Sequence, residues 1–134
     1  MDPTHRPTAL WRLLLSDPDP ASAELIAAAL PADRASIAQL RDLADLDAYL
    51  TQTPVDLLLL ALPDHDRAPW EMLAALRRRP DGLRHLPVIA LCDRPLEPAE
   101  RAGVIDKRTR VVVRPYRISE LRRLVGDLLP EASP

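Results

Sequence analysis

Glycine, phenylalanine and cysteine are scarce in this chain of 134 residues, which has three glycines, no phenylalanine and one cysteine. With glycine only at Gly82, Gly103 and Gly126, no glycine-rich loop can wrap a phosphate. Walker-type and dinucleotide-binding motifs are therefore excluded. A lone cysteine, Cys92, rules out a disulfide framework within the chain and makes a reducing cytoplasm the expected compartment. No apolar run approaches the roughly 20 residues that a membrane helix requires. Residues Met1 to Thr8 are polar and carry prolines, unlike a secretory leader. A net charge of -2 gives no overall attraction to nucleic acid or to an anionic membrane.

What is present is ordinary for one compact domain: 47% hydrophobic and 28% charged residues, enough to build a core without metal or disulfide staples. The expected domain spans 9–129, with frayed, flexible ends at 1–8 and 130–134. Fifteen prolines punctuate the chain and help to mark its elements.

Short apolar runs alternate with helical patterns. Ala9 to Leu15 reads as a buried strand, stopped by Ser16-Asp17-Pro18-Asp19-Pro20. Ala21 to Leu30 reads as a helix with Pro20 near its first turn and Pro31 at its end. A weaker strand over Ala35 to Leu40 and a short helix over Ala44 to Thr51 follow. Val55 to Ala61 is the clearest strand. Leucine is a poor strand former, but a run this short between prolines leaves little room for a helix. Trp70 to Arg79 is a helix bounded by Pro69 and Pro80. Leu86 to Leu91 is the fourth strand, Leu96 to Ala102 a short helix, and Arg110 to Arg114 the fifth strand. The last helix runs from Arg117 to Leu129, with Ile118, Leu121, Leu124, Val125 and Leu128 on one face.

Five apolar strands alternating with five helices predict an α/β fold, a single doubly wound parallel sheet covered on both faces. In such sheets the functional crevice lies beyond the carboxyl ends of the strands. The residues to watch are therefore Ser16-Asp17, Ala61, Cys92 and Arg114.

At those strand ends the chain resembles the response-regulator receiver domains of bacterial two-component signalling. Leu13-Leu14-Leu15-Ser16-Asp17-Pro18-Asp19-Pro20 is similar to the opening strand and its acidic cluster. Asp56-Leu57-Leu58-Leu59-Leu60-Ala61-Leu62 is similar to the third strand, which carries the phosphoacceptor. Leu86-Pro87-Val88-Ile89-Ala90-Leu91-Cys92 is similar to the fourth strand with its closing Thr or Ser, and Val111-Val112-Val113-Arg114-Pro115-Tyr116 to the fifth with its Lys-Pro-Phe ending. The order and spacing hold over essentially the whole chain.

The resemblance implies a flavodoxin-like (βα)5 fold with strand order 2-1-3-4-5, and in the family an aspartyl-phosphate switch. That switch needs a carboxylate nucleophile, a magnesium ion on oxygen ligands and a cation on the phosphoryl oxygens. Matched residue by residue, the acceptor position is Ala61. Asp17 keeps one member of the acidic pair, Pro18 replaces the other, and Asp19 keeps the third acidic position. Cys92 stands for Thr or Ser, Arg114 for lysine, and Val111 for the aromatic switch residue. Pro63 arrives earlier than is usual. The resemblance thus implies a degenerate pseudo-receiver, with no catalytic residues, no metal and no cofactor.

Other candidates have plain readings beside their functional ones. Asp17 and Asp19 read as turn and cap residues before a residual metal site, and Asp64-His65-Asp66 as a solvated loop before a substitute acceptor. Cys92 reads as a buried inert thiol before a nucleophile, with no histidine near it in sequence. Arg77-Arg78-Arg79 with Arg84 and His85 read as a solvated helix end before a phosphate or nucleic-acid site. Trp70 fits core packing, whereas Trp11 either caps the sheet or marks a contact. Arg110, Arg114, Tyr116, Arg117, Arg122 and Arg123 form a candidate interaction face, since in the family the face of the fourth helix, fifth strand and fifth helix carries partner and homodimer contacts. The expected function is phosphorylation-independent regulation through a protein partner: a histidine kinase, an output domain or another signalling protein. The alternative is an anion- or cyclic-dinucleotide-binding module using an arginine-rich face. An enzyme on a flavodoxin-like scaffold ranks last, because no nucleophile–base pair is visible.

Overall fold

The computed structural model describes residues 10–30, 34–104 and 106–129. The expected frayed ends, the strand start at Ala9 and the helix stop at Pro31 lie outside them.

Five strands form one fully parallel sheet: β1 Trp11–Ser16, β2 Ala35–Leu40, β3 Leu57–Leu62, β4 Val88–Cys92 and β5 Thr109–Val113. Their order is β2-β1-β3-β4-β5, as expected. The helices are α1 Pro20–Ala29, α2 Leu46–Gln52, α3 Ala68–Arg77, α4 Pro98–Val104 and α5 Ile118–Leu128.

Alternation along the strands divides the core into two layers. Leu14, Leu58, Leu60, Leu62, Val88, Ala90 and Cys92 pack with Leu46 and Leu50 of α2 and Trp70, Leu73 and Leu76 of α3. Leu13, Leu15, Leu57, Leu59, Ile89, Leu91 and Val112 pack with Ile26 and Ala29 of α1 and Leu121, Leu124 and Val125 of α5. Every residue of β3 is buried, so its poor strand propensity is overridden by burial on both faces. Crossover helices on both faces are what a parallel sheet requires, because consecutive parallel strands cannot be joined by a tight turn.

β2 has the expected bounds; the other element boundaries shift by one or two residues, for local reasons. β3 begins after Asp56, because the Asp56 carboxylate accepts from the Arg12 backbone N–H at 2.7 Å. α3 begins at Ala68 because the Asp66 side chain accepts from the Ala68 N–H at 3.0 Å. The second helical segment splits into a 3-10 turn, Leu43–Asp45, capped by Asp42, and α2 proper. A further 3-10 turn, Gly82–His85, precedes β4 and is capped by Asp81; the sequence pattern did not suggest it. Trp11 is half-buried against the α1–α5 layer and Trp70 is buried, its Nε1–H donating to the Pro63 carbonyl at 3.0 Å.

Candidate functional site

The carboxyl ends of β1, β3, β4 and β5 converge as the parallel topology demands. Ser16 lies beside Leu60, Ala61 beside Leu91, and Cys92 beside Val113. Asp17 and Arg114 each stand one residue beyond a strand, at the place where doubly wound sheets bind ligands.

There Arg114 and Asp17 meet. The Arg114 guanidinium donates to Asp17 Oδ2 at 3.0 Å. The Asp17 side chain is 4% exposed and that of Arg114 32%. The other Asp17 oxygen accepts from the Asp19 backbone N–H at 2.9 Å, and Asp19 in turn caps α1 through the Ala21 N–H at 3.0 Å. Gln39 on β2 fastens the loop from the far side by donating to the carbonyls of Asp17 and Asp19. Asp93, after β4, lies 3.6 Å from Arg114 Nε. One guanidinium thus sits between two carboxylates, and Asp17 is already satisfied within the chain. Asp17 and Asp19 do serve as turn and cap, while Pro18 projects into solvent.

Ala61 is 9% exposed and has the same strand parity as Leu57 and Leu59. It offers a methyl group, with no nucleophilic atom. Cys92 lies in the opposite layer, packed with the α2–α3 core. Burial, and then the negative charges of Asp93 and Glu100, push its thiol up to about 11. At neutral pH it is a protonated, inert side chain. His85 sits before β4 and Cys92 ends it, so a full strand separates the two. Tyr116 is half-buried, with its hydroxyl unpartnered among the described residues; burial raises its pKa.

Beside this edge the loops after β3 and β4 are tied together by a charge network that the sequence did not reveal. Arg94 makes two parallel hydrogen bonds to Glu100, at 2.8 and 2.9 Å, and its Nε lies 2.9 Å from Asp64. The Arg94 hydrogen bonds, with the Glu97 backbone N–H, hold the Glu100 carboxyl at about 2, well below its usual range. Arg67 completes the network, 3.8 Å from Glu100 and stacked over the Trp70 ring. Asp64 is therefore an ion-pair partner, and Asp66 closes the turn ahead of α3 through the Ala68 N–H. No cluster of metal-ligating side chains occurs among the described residues.

At the end of α3 Arg78 is exposed, as a solvated helix end would be, but Arg77 and Arg79 are engaged within the chain. Arg77 donates to the carbonyls of Arg84 and Leu86 at 2.9 and 2.6 Å and to Thr109 Oγ1 at 2.7 Å. Its Nε lies 3.1 Å from Asp106 Oδ2, close enough to pair but poorly aligned for a hydrogen bond. Arg79 is held by Asp47 and Asp81. Spacing alone could not show this, because the partners come from elements far apart in the chain. The ion pair of Arg79 and Asp47 lies beside a small apolar cleft of about 110 Å³ between α2 and α3, lined from the sheet by Leu58 and Leu60.

Of the candidate interaction face, Arg114 is engaged with Asp17, and Arg122 reaches back to donate to the Ala29 carbonyl at the end of α1 at 3.0 Å. Arg117 and Arg123 are exposed, and Arg110 is half-exposed on β5. Among the described residues no helix is long and apolar enough to cross a membrane.

Sheet order, layer assignment and the site at the strand ends define a doubly wound fold of receiver type. The chemotaxis protein CheY4 of Vibrio cholerae superposes with a TM-score of 0.74 at 16% identity, over 90% of this chain and 100% of that one. A response regulator from Thermotoga maritima gives 0.72 at 13% identity, over 89% and 97%. An orphan response regulator from H. pylori gives 0.72 at 16% identity, over 91% and 99%. At these identities the likeness is one of fold. No protein-family model matches the sequence, and no curated protein matches it.

Proposed function

We propose that this chain is a phosphorylation-independent interaction module of the two-component type, a pseudo-receiver that regulates by binding a signalling protein. The observation that carries this reading is Ala61 at the acceptor position, beside an Asp17 already neutralised by Arg114. Phosphoryl transfer would need a nucleophile and an acidic cluster free to hold a divalent cation. The first is missing, Pro18 reduces the second, and Arg114 occupies what remains.

The buried, protonated Cys92 supports the same reading, since it can supply neither the hydroxyl donor nor a substitute nucleophile. An anion- or cyclic-dinucleotide-binding role draws less support. Of the two arginine clusters it could use, the one at the end of α3 has Arg77 and Arg79 held by internal partners, and the one on β5 and α5 has Arg114 paired with Asp17, although Arg110, Arg117 and Arg123 stay outside any ion pair among the described residues.

The test is incubation with a small-molecule phosphodonor and magnesium, followed by intact mass spectrometry. The unmodified mass is expected. A stable, acid-labile phosphoryl adduct would overturn the proposal.

A further inference from the structure

The charge of this chain is unevenly distributed. Residues 107–123 carry seven cations and a single carboxylate, Glu120, for a local charge of +6, so the rest of the chain carries -8. The fold places this segment on β5, an edge strand of the sheet, on the turn that follows and on the first half of α5, which carries Arg122 and Arg123. Lys107, Arg108, Arg110, Arg117 and Arg123 take part in no ion pair among the described residues. Arg122 donates to an uncharged carbonyl, so its charge is not neutralised.

Among the described residues, the backbone of the same strand is unpaired on one side. The Arg108 carbonyl accepts from Val88 N–H, and Arg114 N–H donates to the Cys92 carbonyl. Even-numbered residues therefore face β4. The peptide groups of Val111 and Val113 point away from the sheet, and both side chains are half-buried.

We propose that this edge binds an extended acidic segment of a partner protein, laid along β5. The inference rests on reading the chain as an interaction module and adds the chemistry of its partner. Carboxylates would meet the row of cations, while main-chain hydrogen bonds to Val111 and Val113 would fix the register. A nucleic acid would match the charge but would leave the open peptide groups and the two valines without partners.

The probe is a fluorescein-labelled, end-blocked peptide of alternating Glu and Val, titrated with the whole chain and read by fluorescence anisotropy. Saturable binding is expected, weakening about fivefold or more when salt is raised from low to physiological strength. The double variant Arg110→Glu, Arg117→Glu should lose about tenfold or more in affinity. Arg78→Glu, an exposed arginine outside the strip, should bind as the parent does. Amide exchange at Val111 and Val113 should slow in the complex. Absence of binding would overturn the proposal and leave the charges as a guard that keeps the edge solvated. Equal weakening by Arg78→Glu, unchanged exchange at the two valines, or tighter binding of a single-stranded oligonucleotide would overturn it as well. Phosphoryl uptake, by contrast, would overturn the pseudo-receiver reading without altering the peptide titration.

Discussion

Arg114 and Asp17, residues 97 apart in the chain, meet at 3.0 Å across the carboxyl edge of the sheet. Asp17 is the more deeply buried of the two, at 4% exposure against 32%. A carboxylate this buried needs a counter-charge, and the chain supplies one from the far end of its sequence.

Removing the guanidinium leaves the buried Asp17 carboxyl short of a donor. Arg114→Ala is expected to destabilise the fold by about 1–3 kcal/mol, the cost of an unsatisfied buried polar group. Adding Asp17→Asn to that variant should recover part of the loss, because the unpaired charge is gone. Chemical denaturation midpoints of the parent, the two single variants and the double variant measure the coupling.

On the pseudo-receiver reading proposed above, placing a carboxylate at Ala61 alone is not expected to give phosphoryl uptake. Ala61→Asp supplies a nucleophile, but Pro18 contributes no carboxylate and Arg114 still covers Asp17. The same phosphodonor and magnesium assay, read by intact mass, should show no adduct. Uptake by this single variant would overturn the proposal that the whole site has decayed.

Arg77 fastens the end of α3 to the start of β4 and β5 through two carbonyls and the Thr109 hydroxyl. Burial lowers its pKa, partly offset by Asp106, but it remains a cation. Arg77→Met keeps the apolar stem and discards the donors, and should cost about 2–3 kcal/mol. Arg77→Lys should recover only part of this, since one ammonium cannot reach the same set of acceptors. Thermal or urea unfolding of both variants checks the order.

Cys92 links stability to alkaline pH. Its folded pKa of about 11 lies above the ordinary 9.0, so the folded state holds the thiol proton more tightly than the unfolded chain does. The stability tied to that proton is fully present below about 9 and is lost as pH rises toward 11. A Cys92→Ala variant should be less stable at neutral pH but should show a shallower decline across that window. Thiol reagents at neutral pH should modify the parent only on unfolding.

The order of elements was legible in the chain itself. Prolines and caps bounded short apolar runs, and runs without alternation meant strands covered on both faces. The strand-end residues Asp17, Ala61, Cys92 and Arg114 could be singled out for the same reason, because a parallel sheet gathers its carboxyl ends on one edge. The absence of a nucleophile at Ala61 needed no coordinates. The tertiary structure alone decided how the charges pair. Arg77 with Thr109, Arg79 with Asp47, Arg94 with Asp64 and Arg114 with Asp17 join segments 30 or more positions apart. No periodicity encodes such pairings, because a long cationic side chain reaches whichever carboxylate or carbonyl the packing brings near. Packing also sent Cys92 into the α2–α3 layer and, among the described residues, left the β5 edge without a neighbouring strand beside cations that make no ion pair.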